Sequence, residues 1–160
     1  MNKFAAVILV IATVACGGNE SSTGPSGVAA IPSYEGTLAL KTANLNIPPA
    51  SIVQQSTYTL LITGGQIVIN HDNTYQLQVN FKLTSNGVTS TPQWNGTGTY
   101  SVTVVLGQPV LKFVDSSDNT LMSSFTGGPT GVSGSSHVPS NVVPAPPDGQ
   151  SFLVLFSFSK

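Results

Sequence analysis

The sequence predicts an all-β fold, an antiparallel meander closing as an up-and-down barrel of about eight to ten strands, with a two-layer β-sandwich as the alternative. Three observations predict it. Apolar and polar residues alternate with a period of two along most of the chain, and no helical stripe of useful length appears. Clusters of Gly, Asn, Asp and Pro separate the alternating runs at short intervals, as turns between neighbouring strands require. A meander of so many strands also leaves two unpaired edges unless it closes on itself, which favours the barrel.

Residues 34–41, 57–62 and 66–70 read as the first strands, the last two divided by a glycine turn at Thr63-Gly64-Gly65. Between them, residues 46–53 form a proline-rich connection whose apolar side chains suit a path across one end of the barrel. His71-Asp72-Asn73 is the next turn. It leads into the clearest strand, 74–83, with Tyr75, Leu77, Val79, Phe81 and Leu83 on one face and Thr74, Gln76, Gln78, Asn80 and Lys82 on the other. Asn86-Gly87 is a strong hairpin signal. Residues 88–94 and 97–106 follow, the latter alternating through Tyr100, Val102, Val104 and Leu106. Gly107-Gln108-Pro109 turns into 110–114, and Asp115 to Asn119 turns into 120–126. The last strand, 152–158, sets Phe152, Val154, Phe156 and Phe158 on one face. Leu153 and Leu155 on the other suggest cover on both sides. Residues 127–150 interrupt the series: 14 of these 24 positions are Gly, Pro or Ser, which reads as a long surface loop. The sharper reading is a lid over the barrel mouth, drawing on Val132, Val138, Val142 and Val143.

The start of the chain carries an address. Met1-Asn2-Lys3 is positive, Phe4 to Ala15 is almost wholly apolar, and small Ala15 precedes Cys16, the one cysteine present. Twelve apolar residues make ~18 Å of helix, short of a ~30 Å hydrocarbon core, so a cleaved export signal fits better than a membrane span. A lone cysteine forms no intramolecular disulfide, and an exposed free thiol is a liability outside the cell. Thr13-Val14-Ala15-Cys16 resembles a bacterial lipobox, in which the cysteine is lipidated and becomes the mature N-terminus. Gly17 to Gly27 reads as the polar tether of such an anchor, with a reach of roughly 20 Å. The expected organisation is therefore a signal peptide over 1–15, a lipidated Cys16 and tether over 16–31, and one barrel domain over 32–160. The expected place is the cell envelope, at the outer membrane.

Composition removes several function classes. Charged residues are 7% of the chain and arginine is absent. After the signal, four lysines face six carboxylates, so clustered cations for nucleic-acid phosphates are missing. Catalytic chemistry is thin, with no nucleophile elbow and no Cys–His pair, so the chain is not expected to be an enzyme. His71-Asp72 sits in a tight turn where neighbouring side chains point apart, and structural zinc needs about four ligands, so no metal or other cofactor is expected. Asp115 and Asp118 lack the alternating acidic spacing of a calcium loop.

A resemblance adds to this reading. Tyr34-Glu35-Gly36-Thr37-Leu38, Asn46-Ile47-Pro48-Pro49-Ala50, Ile62-Thr63-Gly64-Gly65-Gln66-Ile67, Asn73-Thr74-Tyr75 and Gly96-Thr97-Gly98-Thr99-Tyr100 follow in an order that resembles small lipocalin-like bacterial lipoproteins. Those proteins commonly carry an "ITGG" turn, a "D-G-T-Y" turn and a Phe-rich last strand closed by a basic residue, as residues 152–160 are here. The resemblance spans roughly residues 34–160 and implies a lipocalin-like barrel and an envelope location.

Two functions follow as expectations. In one, Tyr75, Phe81, Trp94, Tyr100, Phe113 and Phe125 line a cavity that holds a small apolar ligand. In the other, the aromatics fill the barrel, and the protein is a structural or interaction module acting through its Thr, Ser, Asn and Gln surface. Small inward residues such as Ala39, Ser90 and Ser123 would hollow the barrel and favour the first.

Overall fold

Strict alternation puts one face of each strand into a common interior, and here the strands close around it. The structure is a computed structural model that describes residues 33–117, 121–146, 149 and 151–160, all within the unit spanning 31–160. The signal, Cys16 and the tether lie outside the described residues. Ten strands are present among them: β1 (Gly36–Ala43), β2 (Ala50–Gln54), β3 (Tyr58–Ile69), β4 (Thr74–Ser85), β5 (Val88–Ser90), β6 (Gln93–Val105), β7 (Gln108–Asp115), β8 (Leu121–Gly128), β9 (Gly131–His137) and β10 (Leu153–Ser159). Every pairing is antiparallel, and eight strands form a closed up-and-down barrel in the order β1-β3-β4-β6-β7-β8-β9-β10, with β10 returning to β1. The barrel expectation holds and the sandwich does not.

The remaining two strands lie outside the ring. The β3–β4 hairpin pairs along its whole length, from Tyr58 with Ser85 to Ile69 with Tyr75. It is longer than the barrel wall. β1 covers only its Gln66 to Ile69 end, so β2 takes the Thr59 to Ile62 stretch of the same edge. β5 likewise pairs Leu83 to Ser85 where β6 does not reach.

Several elements differ from the sequence reading, among them 88–94, which is not one strand: β5 ends at Ser90, and after Thr91-Pro92 Gln93 opens β6, which runs unbroken to Val105. Thr63-Gly64-Gly65 is not a turn: β3 runs straight through it, with a register shift between Ile62 and Gly64. A β-bulge bends the strand there, and Gly65 is required because a Cβ would lie 2.5 Å from the Gln78 carbonyl oxygen. The proline-rich connection contains β2, and Ile47 is 79% exposed while Ala50 is buried. The turn after β6 falls one residue early, at Leu106-Gly107, both with positive φ, so that Gln108 and Pro109 open β7. Most consequentially, 127–150 is not one loop. Gly127 and Gly128 finish β8, and 131–137 is the barrel strand β9, paired with both β8 and β10.

The interior holds what the alternation assigned to it. Tyr75, Leu77, Val79, Phe81 and Leu83 of β4 are all buried, as are Phe152, Val154, Phe156 and Phe158 at the other end of the chain. Full burial of each such side chain contributes roughly 1.5–3 kcal/mol. The outer face of β10 is not covered, however: Leu153 is 56% and Leu155 40% exposed.

Candidate functional site

The six aromatics expected to line a cavity do meet in the interior, but they pack against one another and against Phe156 and Phe158. Phe113 is the hub. Its ring stands edge-on to Tyr75 at 4.9 Å and to Phe125 at 5.4 Å, and lies 6.2 Å from Tyr100. Phe125 continues to Phe158, Phe158 to Phe156 and Phe156 to Trp94, at 6.1, 6.0 and 6.4 Å. Edge-on and offset pairs of this kind are the favoured aromatic geometry. Phe81 is buried and Tyr100 is half-buried near the rim. Among the described residues, Trp94, Phe125, Ser136, Phe156 and Phe158 border a void of about 10 Å³. That is room for one water at most.

Two of the three residues expected to hollow the barrel do not face it. Ala39 and Ser90 are exposed on the outer surface, and the side chain of Ser123 lies outside those described. Ser136, on β9, is the small residue that does point inward.

Two tyrosines that the candidate set omits close the ends. At the end where β1 begins, Tyr34 is buried and its hydroxyl donates to the Gly127 carbonyl at 2.9 Å. At the opposite end, Tyr58 stacks on Phe152 at 6.2 Å and donates to the Pro144 carbonyl at 2.7 Å. Residues 138–146 are thereby drawn over that end. Val138 and Val143 are buried in the core and Val142 packs against it, so these three valines do turn inward, while Val132 belongs to β9. Partial burial raises the pKa of both hydroxyls, keeping them protonated donors. The sequence signal for the two tyrosines was only their inward register; partners 93 and 86 residues away are invisible to local pattern.

The first end also carries an open hollow of about 470 Å³, bordered by Tyr34, Glu35, His71, Asn73, Tyr100 and Val102. Glu35 Oε1 lies 2.6 Å from His71 Nδ1 and accepts from the Ser33 hydroxyl at 3.1 Å. The hydrogen bond between them raises the His71 pKa, helped by the Glu35 charge, and lowers that of Glu35. The carboxylate sits between hydroxyl and imidazole, so the imidazole is not placed to take the Ser33 proton. The arrangement is an exposed ion pair. Asp72 turns away from it and accepts from the Thr74 backbone N–H at 3.1 Å and hydroxyl at 2.6 Å, the Asx turn expected at this position. Asp115 does the same with Ser117, while Asp118 lies outside the described residues. His137 closes β9 and is exposed, in a strand rather than a loop. Among the described residues no three His, Cys, Asp or Glu side chains come together as a metal site.

The outer wall is polar and sparsely charged, with Lys41, Lys82 and Lys112 exposed on it. Gln93 donates to Asn80 at 2.7 Å from β6 to β4, Asn95 donates to Gln93 at 3.1 Å along β6, and Ser133 donates to Ser157 between β9 and β10. A barrel with a packed interior, both ends tied shut and an amide- and hydroxyl-rich wall defines a closed β-barrel module. No family model, curated protein or solved structure matches the chain.

Proposed function

We propose that this protein is a lipid-anchored, non-catalytic module of the bacterial cell envelope, held to the outer membrane through Cys16 and acting by contacts on its outer surface. The observation that carries the reading is the packed aromatic chain: among the described residues, an apolar ligand beside Trp94 would have to displace Phe125, Phe156 and Phe158 from around a void of about 10 Å³. The sparsely charged, amide- and hydroxyl-rich wall supports contact with neighbouring envelope components in place of ligand storage. Export and anchoring rest on the apolar run before Ala15-Cys16 and on the resemblance to lipocalin-like lipoproteins.

Two measurements test it. Native mass spectrometry of the purified mature chain is expected to show no retained apolar adduct; a stoichiometric lipid surviving purification overturns the filled-barrel reading. Cys16→Ser should move the protein from the membrane pellet to the soluble fraction, because each buried methylene of the lipid contributes ~0.8 kcal/mol to anchoring. A Ser variant that still sediments with membranes removes the anchor.

A further inference from the structure

The β6–β7 hairpin is longer than the barrel needs. β4 pairs with β6 only as far as Thr99, and β8 pairs with β7 only from Val110 onward. Only the Val104–Pro109 and Val105–Gln108 rungs, with the turn they carry, therefore lie beyond both neighbouring strands. At ~3.4 Å per residue, β6 runs roughly 20 Å past its last rung with β4, and its final two rungs stand beyond β8 as well. A two-stranded ribbon standing in water is marginal at best.

Its tip is apolar on both faces. Val104 is 58%, Val105 51% and Leu106 fully exposed, and residues 101–110 contain no charge. The turn itself is informative. Asn86-Gly87 and Leu106-Gly107 share one backbone conformation, with φ of 49° and 80° in the first and 51° and 78° in the second. Asn enters the left-handed region readily and Leu does not. The chain thus places its most exposed leucine where local conformation disfavours it and where no described neighbour covers it. An unfavourable turn residue without a compensating contact in the fold points to a contact outside it.

The hairpin's position says which. Strand register puts the 106–107 turn at the same end as the start of β1, together with the 71–73 and 129–130 turns. The chain from Cys16 therefore joins the barrel at the hairpin's end. We propose that the β6–β7 tip is a membrane-contacting finger whose Val104, Val105 and Leu106 enter the headgroup–acyl boundary of the bilayer that holds Cys16. This rests on the lipid anchor proposed above. The second exposed apolar group, Leu45 and Ile47 at 80% and 79%, lies at the opposite end and would face away from that bilayer.

The test is a quenching measurement on the chain beginning at Cys16, coupled through its single thiol to a maleimide lipid in phosphatidylcholine vesicles. Leu106→Trp and Leu45→Trp are compared in vesicles with and without brominated acyl chains; buried Trp94 supplies a constant background, subtracted with the parent protein. Leu106→Trp should shift to the blue and lose at least half its added emission to the bromines, while Leu45→Trp should be unchanged. Val104→Trp, outside the strained turn, repeats the reading if Leu106→Trp folds poorly. No quenching at either tip position, or equal quenching at Leu45→Trp, overturns the finger. The intact mass of protein extracted from membranes separates the two ideas. An acylated Cys16 with an unquenched tip sinks the finger alone, and an unmodified Cys16 sinks the anchor and, with it, the reason for the tip to face a bilayer.

Discussion

Glu35 and His71 show how little an exposed pair needs in order to be chemically visible. Both side chains are solvated, so their 2.6 Å contact shifts proton affinity more than it stabilises the fold. The shifts have opposite signs. His71 is raised above 6.5, so its contribution is fully present below about 6.5 and fades as pH climbs through the higher folded value. Glu35 is lowered below 4.5, so its contribution is present above about 4.5 and fades as pH falls through the lower folded value. The pair is strongest between those two ordinary values. In an NMR titration the His71 ring should show a midpoint above 6.5, and Glu35→Gln should bring it back toward 6.5. An unmoved midpoint in the variant would mean the contact does not persist in solution. The buried tyrosines act differently: each hydroxyl satisfies a carbonyl on a distant segment, a bond worth ~0.5–1.5 kcal/mol.

At the scale of elements, β9 is the instructive strand. Gly131-Val132-Ser133-Gly134-Ser135-Ser136-His137 has the composition of a linker, because Gly and Ser are poor strand formers. Its reason for being a strand lies in its neighbours. Gly134 sits opposite Phe125, and a Cβ there would lie 2.4 Å from the Ser124 carbonyl oxygen and 2.8 Å from the Phe125 ring. The glycine lets that ring lie against the β9 backbone and join the aromatic chain. Gly134→Ala should therefore destabilise the domain by ~1–3 kcal/mol, as overpacking does. Urea unfolding followed by far-ultraviolet circular dichroism measures it; a midpoint equal to the parent's would show that β9 does not pack as described. Ser135→Ala, on the exposed face of the same strand, should stay within ~0.5 kcal/mol.

For the whole molecule the deciding property is that eight strands enclose little more than the width of their own side chains. With Phe113 touching three other rings and fully buried, the interior is a single packed unit. Phe113→Ala should cost ~3–5 kcal/mol, since a filled barrel cannot collapse onto the missing ring. A loss of less than ~1 kcal/mol would indicate an interior that was loose to begin with, and would reopen the ligand reading.

Much of the barrel was legible because a half-buried strand writes its two faces into alternate residues. Residues 74–83 named their own inward set, and Asn86-Gly87 and His71-Asp72-Asn73 named their turns by the conformations that Asn, Asp and Gly tolerate. Five of the six aromatics are buried and Tyr100 is half-buried at the rim, yet whether they line a space or fill one depends on the distances between rings brought together from five strands. The all-β class, the period-two register of the strong strands and the scarcity of charge are thus properties of the sequence by itself, since each follows from neighbours in the chain. The closure of β10 on β1, the conversion of a Gly–Ser stretch into a wall strand, the bulge at Gly64-Gly65, the sealing tyrosines and the exposed hairpin were decided only in the tertiary structure. Each depends on which backbone comes to lie beside which, and pairing between residues as far apart as Ala39 and Ser159 leaves no local trace.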